Sequence, residues 1–414
     1  MAEGLRTGAH ELYFTRLLEG ELHPAFQGLD ANRMTVAYFA ITALDVLGAL
    51  ERCRTRDAIV EWILAQQVLP RCARCAGGFR GGSSSGAPFC AGGAFPTHAF
   101  DGPHLASTYT ALASLLALGD DLARVRRDAV LRGVRALQQP DGSFCAFAGG
   151  ESDMRFVFCA AAVGTMLGDG DGDGDGGGGG GGGGGDGAWA CLDRPSAIAY
   201  IPEGGIGLGP GQEAHGGSTF CALAALHLLG ALGTLDRPDL AARWCAERQL
   251  RGFQGRANKD EDTCYSYWLG ASLALLGHAE LVAVRECAQF TCRCQSEHGG
   301  LCKHEGAQAD PLHSCLALCG LSLLGQPGLQ PIEPALGITR RAWARARLRC
   351  AHLQRAAPAP ARARAYAAEG AGGRSWAASL LGLGAPALAL ACVLLAAPAW
   401  FSRGGGVAPL AADW

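Results

Sequence analysis

The sequence predicts an all-α protein, a closed α/α barrel in which an inner ring of helices packs against an outer one. Three observations point there. Apolar runs of helix length recur along the chain, in TVAYFAITALDVLGAL, STYTALASLLALG, TFCALAALHLLGALG and SCLALCGLSLLG, each bounded by glycine or proline. Clear alternating strands are absent. A short turn holding glycine and an apolar residue recurs, in CAGGFRGG near Phe79, PDGSFCAF near Phe144, EGGIGLGPG near Ile206, RGFQGR near Phe253 and HGGLCKHE near Leu301.

The turns stand roughly 65, 62, 47 and 48 residues apart, the self-similarity of a helical-hairpin repeat. Helices that are apolar on more than one side need cover on both, which a two-layer ring supplies. In such a ring the glycine turns collect at one end, where backbone approaches a ligand closely. An open α-solenoid is the alternative arrangement of the same repeats.

The chain has 414 residues, of which 49% are hydrophobic, enough for one large core. Its net charge is only −3, with no basic stripe, which argues against a nucleic-acid partner. The opening MAEGLRTGAHELYF holds no long apolar run and does not read as a secretory signal. The 18 cysteines are spread through apolar helical runs such as CAAAVGTML, so they read as small reduced core residues, and the expected location is cytoplasmic. Cys72 and Cys75 have no second pair at zinc-ribbon spacing.

Two segments depart from the pattern. Residues 168–187, GDGDGDGDGGGGGGGGGGDG, form a solvated insertion without side chains to build a core. Its alternating aspartates lack the glutamate a calcium loop needs at the last ligand. The expected barrel domain is 1–350 and the remainder, 351–414, is a low-complexity Ala/Arg/Pro-rich tail. Its uncharged stretch 375–401 is long enough to span a bilayer, but the expectation is an unstructured or misassigned tail.

The chemistry begins at Asp262-Thr-Cys264, a carboxylate and a thiol two residues apart at a helix start. Both can reach one metal, and His313 opens another repeat helix just after a glycine turn. Asp, Cys and His with one open position is the pattern of a catalytic zinc. A capping aspartate, a core cysteine and a surface histidine would give the same spacing. Nearby, Arg256, Lys259, Tyr265 and His215 bring two cations, a phenol and an imidazole, which together suit a diphosphate, with help from helix N-termini. Each alone reads equally well as a solvated surface group.

In combination, EAHGGSTFCALAAL, GFQGRANK, DTCYSYW and LHSCLALCGLSLLG resemble the β subunits of protein prenyltransferases. MTVAYFAITALDVL, GPHLASTYTALASLLALGDDLARV, LQQPDGSFCA and SDMRFVFCAAAV extend the match across roughly residues 10–350. The resemblance implies a six-plus-six α/α barrel of prenyltransferase repeats, one zinc ion and an obligatory heterodimer with the shared helical α subunit. It assigns Asp262, Cys264 and His313 to the zinc, and His215, Arg256, Lys259 and Tyr265 to the lipid diphosphate. It places Arg155 at the lipid and peptide cavity and Trp268 in the same pocket.

Within the family the resemblance favours the type I geranylgeranyl members over the farnesyl and Rab-specific ones. At position 35 the farnesyl enzymes carry a tryptophan that shortens the lipid tunnel; here stands Thr35, with Phe39 one turn on. An extra five-carbon unit is worth about 4 kcal/mol of gross burial at 0.8 per methylene, enough to decide lipid choice. Lys303 stands where the farnesyl enzymes hold a magnesium-binding aspartate, so magnesium is not expected to be needed. His104, Ala106 and Phe156 match the pocket for the last peptide residue. The implied substrates are geranylgeranyl diphosphate and proteins ending in Cys-a-a-X with X as Leu or Phe, such as Rho-type small GTPases. A terpene cyclase is disfavoured because no Asp-x-Asp-Asp proton donor occurs. A non-catalytic helical-repeat binding protein has no need of both residue sets.

Overall fold

The computed structural model describes residues 4–20, 24–69, 77–83, 102–169, 189, 191–202 and 204–354. Most of the insertion, the tail beyond 354, and Cys72 and Cys75 lie outside the described residues.

Six helices make the inner ring: α2 (Arg33–Val46), α4 (Leu105–Leu118), α6 (Met154–Met166), α8 (Gly216–Leu228), α10 (Tyr265–Leu275) and α12 (Pro311–Leu323). Every residue of α4 and nearly every residue of α2, α6 and α8 is buried, as expected for helices that are apolar all round. Each packs on the next, and α12 packs back on α2. That last contact closes the ring and excludes an open solenoid.

The outer layer alternates with the inner one in sequence: α1 (Thr7–Glu19), α3 (Arg56–Ala65), α5 (Arg127–Arg135), α7 (Arg194–Ala199), α9 (Pro238–Ala246) and α11 (Val284–Arg293). Of these, α1, α3, α5, α9 and α11 each pack on the inner helix that follows. They are amphipathic: α5 buries Val130 and Val134, and α11 buries Cys287 and Phe290, while their arginines face outward. The six-plus-six expectation holds.

Each inner helix ends on a left-handed glycine: Gly48, Gly119, Gly168, Gly230, Gly277 and Gly325 all have φ between +65° and +87°. A side chain is strained in that conformation, so the Leu-Gly that closes every repeat is a stop signal. At the opposite end the glycine turns form a continuous rim, where each turn hydrogen-bonds to the start of an inner helix. Met34 N donates to Gly81 O, His104 N to Phe79 O, Leu105 N to Ala146 O, Met154 N to Leu208 O, Gly216 N to Gly255 O and Thr263 N to Lys303 O. The turns therefore gather at one end, and the six inner helices run in parallel away from it. Short antiparallel pairs stiffen this rim, β1 (Gln67–Val68) with β2 (Gly78–Phe79) and β3 (Phe144–Cys145) with β4 (Ser152–Asp153).

The other end is sealed. The hairpin of β5 (Ile332–Glu333) and β6 (Ile338–Thr339) turns inward. Hydroxyls of Tyr38, Tyr109 and Tyr267, from three inner helices, donate to the carbonyls of Gly337, Leu336 and Pro334. Below lies α13 (Arg340–Arg349), followed by α14 (Ala351–Gln354). His352 Nε2 meets Met166 O at 3.1 Å and Leu353 is buried in the core. His352 and Leu353, just past the expected barrel boundary, thus pack with the barrel.

Of the fourteen cysteines among the described residues, all but Cys53 are buried. Burial pushes the thiols of Cys245 and Cys287 up to about 12, so they behave as apolar core groups. Among the described residues no helix is long and apolar enough to cross a membrane.

Candidate active site

The rim brings three separate turns together. Asp262 and Cys264 lead into α10, His313 lies in the first turn of α12, and Lys303 sits in the hairpin between α11 and α12. Thr263 N donates to Lys303 O and its hydroxyl to Cys302 O, which docks the Asp262–Cys264 segment against that hairpin. As a result the ligand atoms of Asp262, Cys264 and His313 lie within 4.8 Å of one another, the only such group among the described residues.

Asp310 orients His313. It caps α12 by accepting from His313 N at 2.9 Å, and its other oxygen meets His313 Nδ1 at 2.6 Å. The imidazole is thereby turned so that Nε2 faces Asp262 Oδ1 at 3.4 Å. Burial acts to lower the pKa of His313, but the Asp262 and Asp310 carboxylates outweigh it and hold it at about 9. The Cys264 thiol is pushed up by burial and by Asp262.

These residues fit a zinc ion. Oδ2 of Asp262 is buried with no hydrogen-bond partner among the described residues, and Lys303 Nζ lies 3.9 Å from it. A carboxylate oxygen left bare inside a protein is costly unless a cation meets it. Sulfur, imidazole and carboxylate donors form a mixed set suited to zinc. The carboxylate–imidazole pair behind it matches the support that metal-binding histidines receive.

Beside this cluster stand His215 and Tyr265, whose Nε2 and hydroxyl are 2.8 Å apart. Gly217 N donates to His215 Nδ1 at 3.0 Å, so that nitrogen is an acceptor. Burial and the Arg256 charge lower the His215 pKa to about 4, which keeps the ring neutral. Its proton is therefore on Nε2 and is given to the Tyr265 oxygen. The Tyr265 hydroxyl proton is left to point at an incoming acceptor. A Cβ on Gly255 would lie 2.1 Å from the Tyr265 ring, so only glycine lets the phenol sit there. Arg256 Nη1 donates to Glu213 Oε2 at 2.9 Å. Lys259 is exposed, and its backbone N donates to Arg256 O at 3.4 Å.

A second niche opens along the rim. The His104 ring is 6.0 Å from both Phe147 and Phe156, and neither of its nitrogens has a partner among the described residues. Burial, then the charge of Arg155, lowers its pKa to about 4. Arg155 is itself buried and bound by Asp153 at 2.5 Å and Glu151 at 3.2 Å. Ala106, Phe156, Thr35 and Phe39 are buried, the last two on α2.

Sequence reasoning missed the interior. Tyr38, Tyr109, Phe158 and Phe220 form a chain of rings across α2, α4, α6 and α8, with centroids 5.6, 5.1 and 5.5 Å apart. Phe220 then meets Trp268 of α10 at 4.9 Å. A signal existed: Tyr109, Phe158 and Phe220 are each the fifth residue of their helix. Asp310, Glu213 and Phe147 were also missed; Glu213 and Phe147 meet partners far away in the chain, whereas Asp310 stands only three residues before His313 and was open to a helix-cap reading.

Comparison with known proteins agrees with this architecture. Residues 5–338 match the family model of the prenyltransferase alpha-alpha toroid domain. The chain is 38% identical over 336 residues to the geranylgeranyl transferase type-1 subunit beta of Arabidopsis thaliana, covering 76% of this chain and 84% of that protein. It is 33% identical over 352 residues to the protein of the same description in Dictyostelium discoideum, with 80% and 94% covered. Against the farnesyltransferase subunit beta of Schizosaccharomyces pombe the identity is 32% over 330 residues, with 76% of each covered. Its fold is similar to that of Candida albicans protein geranylgeranyltransferase-I complexed with GGPP, at a TM-score of 0.69 and 24% identity, over 85% of this chain and 100% of that one.

Proposed function

The chain belongs to the prenyltransferase alpha-alpha toroid family, among the type-1 geranylgeranyl transferase β subunits, and from that premise we propose that it is the zinc-dependent catalytic subunit of a protein geranylgeranyltransferase type I. It moves a C20 geranylgeranyl group from its diphosphate to the cysteine of proteins ending in Cys-a-a-X, with X as Leu or Phe. Its partner is the helical α subunit shared within the family. The observation that carries the reading is the convergence of Asp262, Cys264 and His313 within 4.8 Å, beside His215, Tyr265 and Arg256 and above an aromatic-lined barrel.

Asp262, Cys264 and His313 would hold the zinc, which when bound supplies a positive charge that keeps a substrate thiol ionised at neutral pH. The substrate sulfur bonds to C1 of the allylic diphosphate as the C1–O bond breaks, and the electron pair leaves on the diphosphate. Arg256 and Lys303 meet that growing charge as cations. The Tyr265 O–H donates a hydrogen bond to a diphosphate oxygen, and His215 fixes the direction of that donation through Nε2. These donors are in place before reaction, so little reorganisation is needed as charge develops. The rings of Tyr38, Tyr109, Phe158, Phe220 and Trp268 offer apolar surface to the isoprenoid and exclude water.

Length selection falls to Thr35 and Phe39, and selection of X to His104, Ala106 and Phe156. Lys303, near Asp262 Oδ2, takes the place of a second metal, so turnover without added magnesium is expected. The test is co-expression with an α subunit, followed by assay of C15 and C20 diphosphates against peptides ending in Leu or Ser. The expected preference is C20 with Leu; a preference for C15 with Ser returns the chain to the farnesyl class.

A further inference from the structure

We propose that Glu213 is a positioning residue: it holds Arg256 while no diphosphate is bound and competes with the diphosphate for it. It thereby sets how tightly the lipid diphosphate binds and how readily the leaving diphosphate departs. The inference rests on the reading of His215, Tyr265 and Arg256 as the diphosphate cluster.

The geometry is direct. Arg256 Nη1 gives its proton to Glu213 Oε2 at 2.9 Å, with the two side chains 31% and 62% exposed. Glu213 stands two residues before His215, and its charge reaches that imidazole, opposing the lowering by burial and Arg256. A carboxylate therefore sits inside a group of donors assembled for an anion.

The pair is not needed to join the two turns that carry it. Gly216 N already donates to Gly255 O at 2.8 Å. A pair this exposed also adds little to stability. Its effect falls on the ligand instead. A diphosphate that accepts from Arg256 must take the place of the Glu213 oxygen and bear the repulsion of its charge. Once C1–O cleavage is complete, Glu213 is positioned to recapture Arg256 and so to weaken the hold on the product.

Inorganic diphosphate is the probe, used on the co-purified assembly with the α subunit. Glu213→Gln should lower its inhibition constant about fivefold, the scale of an exposed ion pair. The KM for lipid diphosphate should fall with it, and kcat should fall where product release limits turnover. On an Arg256→Gln background, Glu213→Gln should lower the constant by less than about twofold, the remainder being relief of direct repulsion, and the difference isolates the pair. Glu213→Asp, which keeps the charge, should stay within about twofold of wild type. A fivefold drop there assigns the effect to packing and overturns the proposal. So does a Glu213→Gln enzyme with unchanged or weaker inhibition. A wild-type enzyme that inorganic diphosphate does not inhibit at all overturns the reading of the cluster itself.

Discussion

The two ends of the barrel are built from the same six helices, and the carboxylate and phenols of one end are paired while a carboxylate oxygen and an imidazole of the other are not. At the sealed end, the Tyr38, Tyr109 and Tyr267 hydroxyls are each spent on a backbone carbonyl, and Asp45 is held by Thr339 and Arg341. Arg345 and Arg349 cap the carbonyls of Ala117 and Gly119 at the end of α4. At the rim, a carboxylate oxygen of Asp262 and both ring nitrogens of His104 are buried without partners. Buried polar groups are normally satisfied, so the difference separates structure from chemistry. One end closes the core, and the other holds donors and acceptors for molecules yet to arrive.

That contrast predicts that rim substitutions cost function and spare the fold, while substitutions at the sealed end do the reverse. The largest effect is expected at Cys264. Cys264→Ala should lose bound zinc and reduce turnover at least about a hundredfold, with an unchanged helical circular dichroism spectrum. Full turnover in zinc-depleted Cys264→Ala would end the metal reading.

Asp310→Asn keeps the size of the side chain but weakens its hold on His313 Nδ1. Zinc affinity, measured by competition with a chelator, should drop about 10- to 100-fold. An unchanged affinity would mean that packing alone orients the imidazole.

Thr35→Trp should shift preference from the C20 toward the C15 diphosphate by about tenfold or more in the ratio of kcat/KM values. An unmoved ratio would place Thr35 away from the lipid.

For the sealed end, Gly337→Ala puts a side chain at φ +64°, with its Cβ 2.4 Å from the Tyr38 hydroxyl. It should cost about 1–3 kcal/mol in urea melts and leave zinc content intact. Loss of zinc there would break the separation between the ends.

The pH dependence acts on both niches of the rim. His215 has a folded pKa of about 4 against 6.5 in the unfolded chain. Between those values the unfolded state binds more protons. Its contribution is therefore complete above pH 6.5 and is lost as pH falls toward 4. At pH 5 the loss from His215 is on the order of 2 kcal/mol, seen as a lower Tm than at pH 7. His104, also lowered to about 4, adds in the same direction. His104→Phe should flatten part of the slope, and an equally steep slope would put the pH response elsewhere.

The sequence by itself determined the parts that repeat or that stand close along the chain. Runs apolar on all sides demand burial on all sides, and a Leu-Gly stop at the end of each makes the repeat legible without coordinates. Asp262 and Cys264 are two residues apart, so their shared direction is a local property. His313 was within reach because it opens a repeat helix as they do, although from residues alone a capping aspartate, a core cysteine and a surface histidine stayed open. The tertiary structure decided what depends on closure. Only the contact of α12 with α2 turns a solenoid into a barrel. Only then do aromatic rings from five helices face one interior, and only packing of the two turns brings His313, which Asp310 holds locally, up to Asp262. The same holds for Glu213 and Arg256, 43 residues apart, whose pairing no local pattern encodes. Contacts of that kind are set by where helices meet, and a single sequence records them only through the fold.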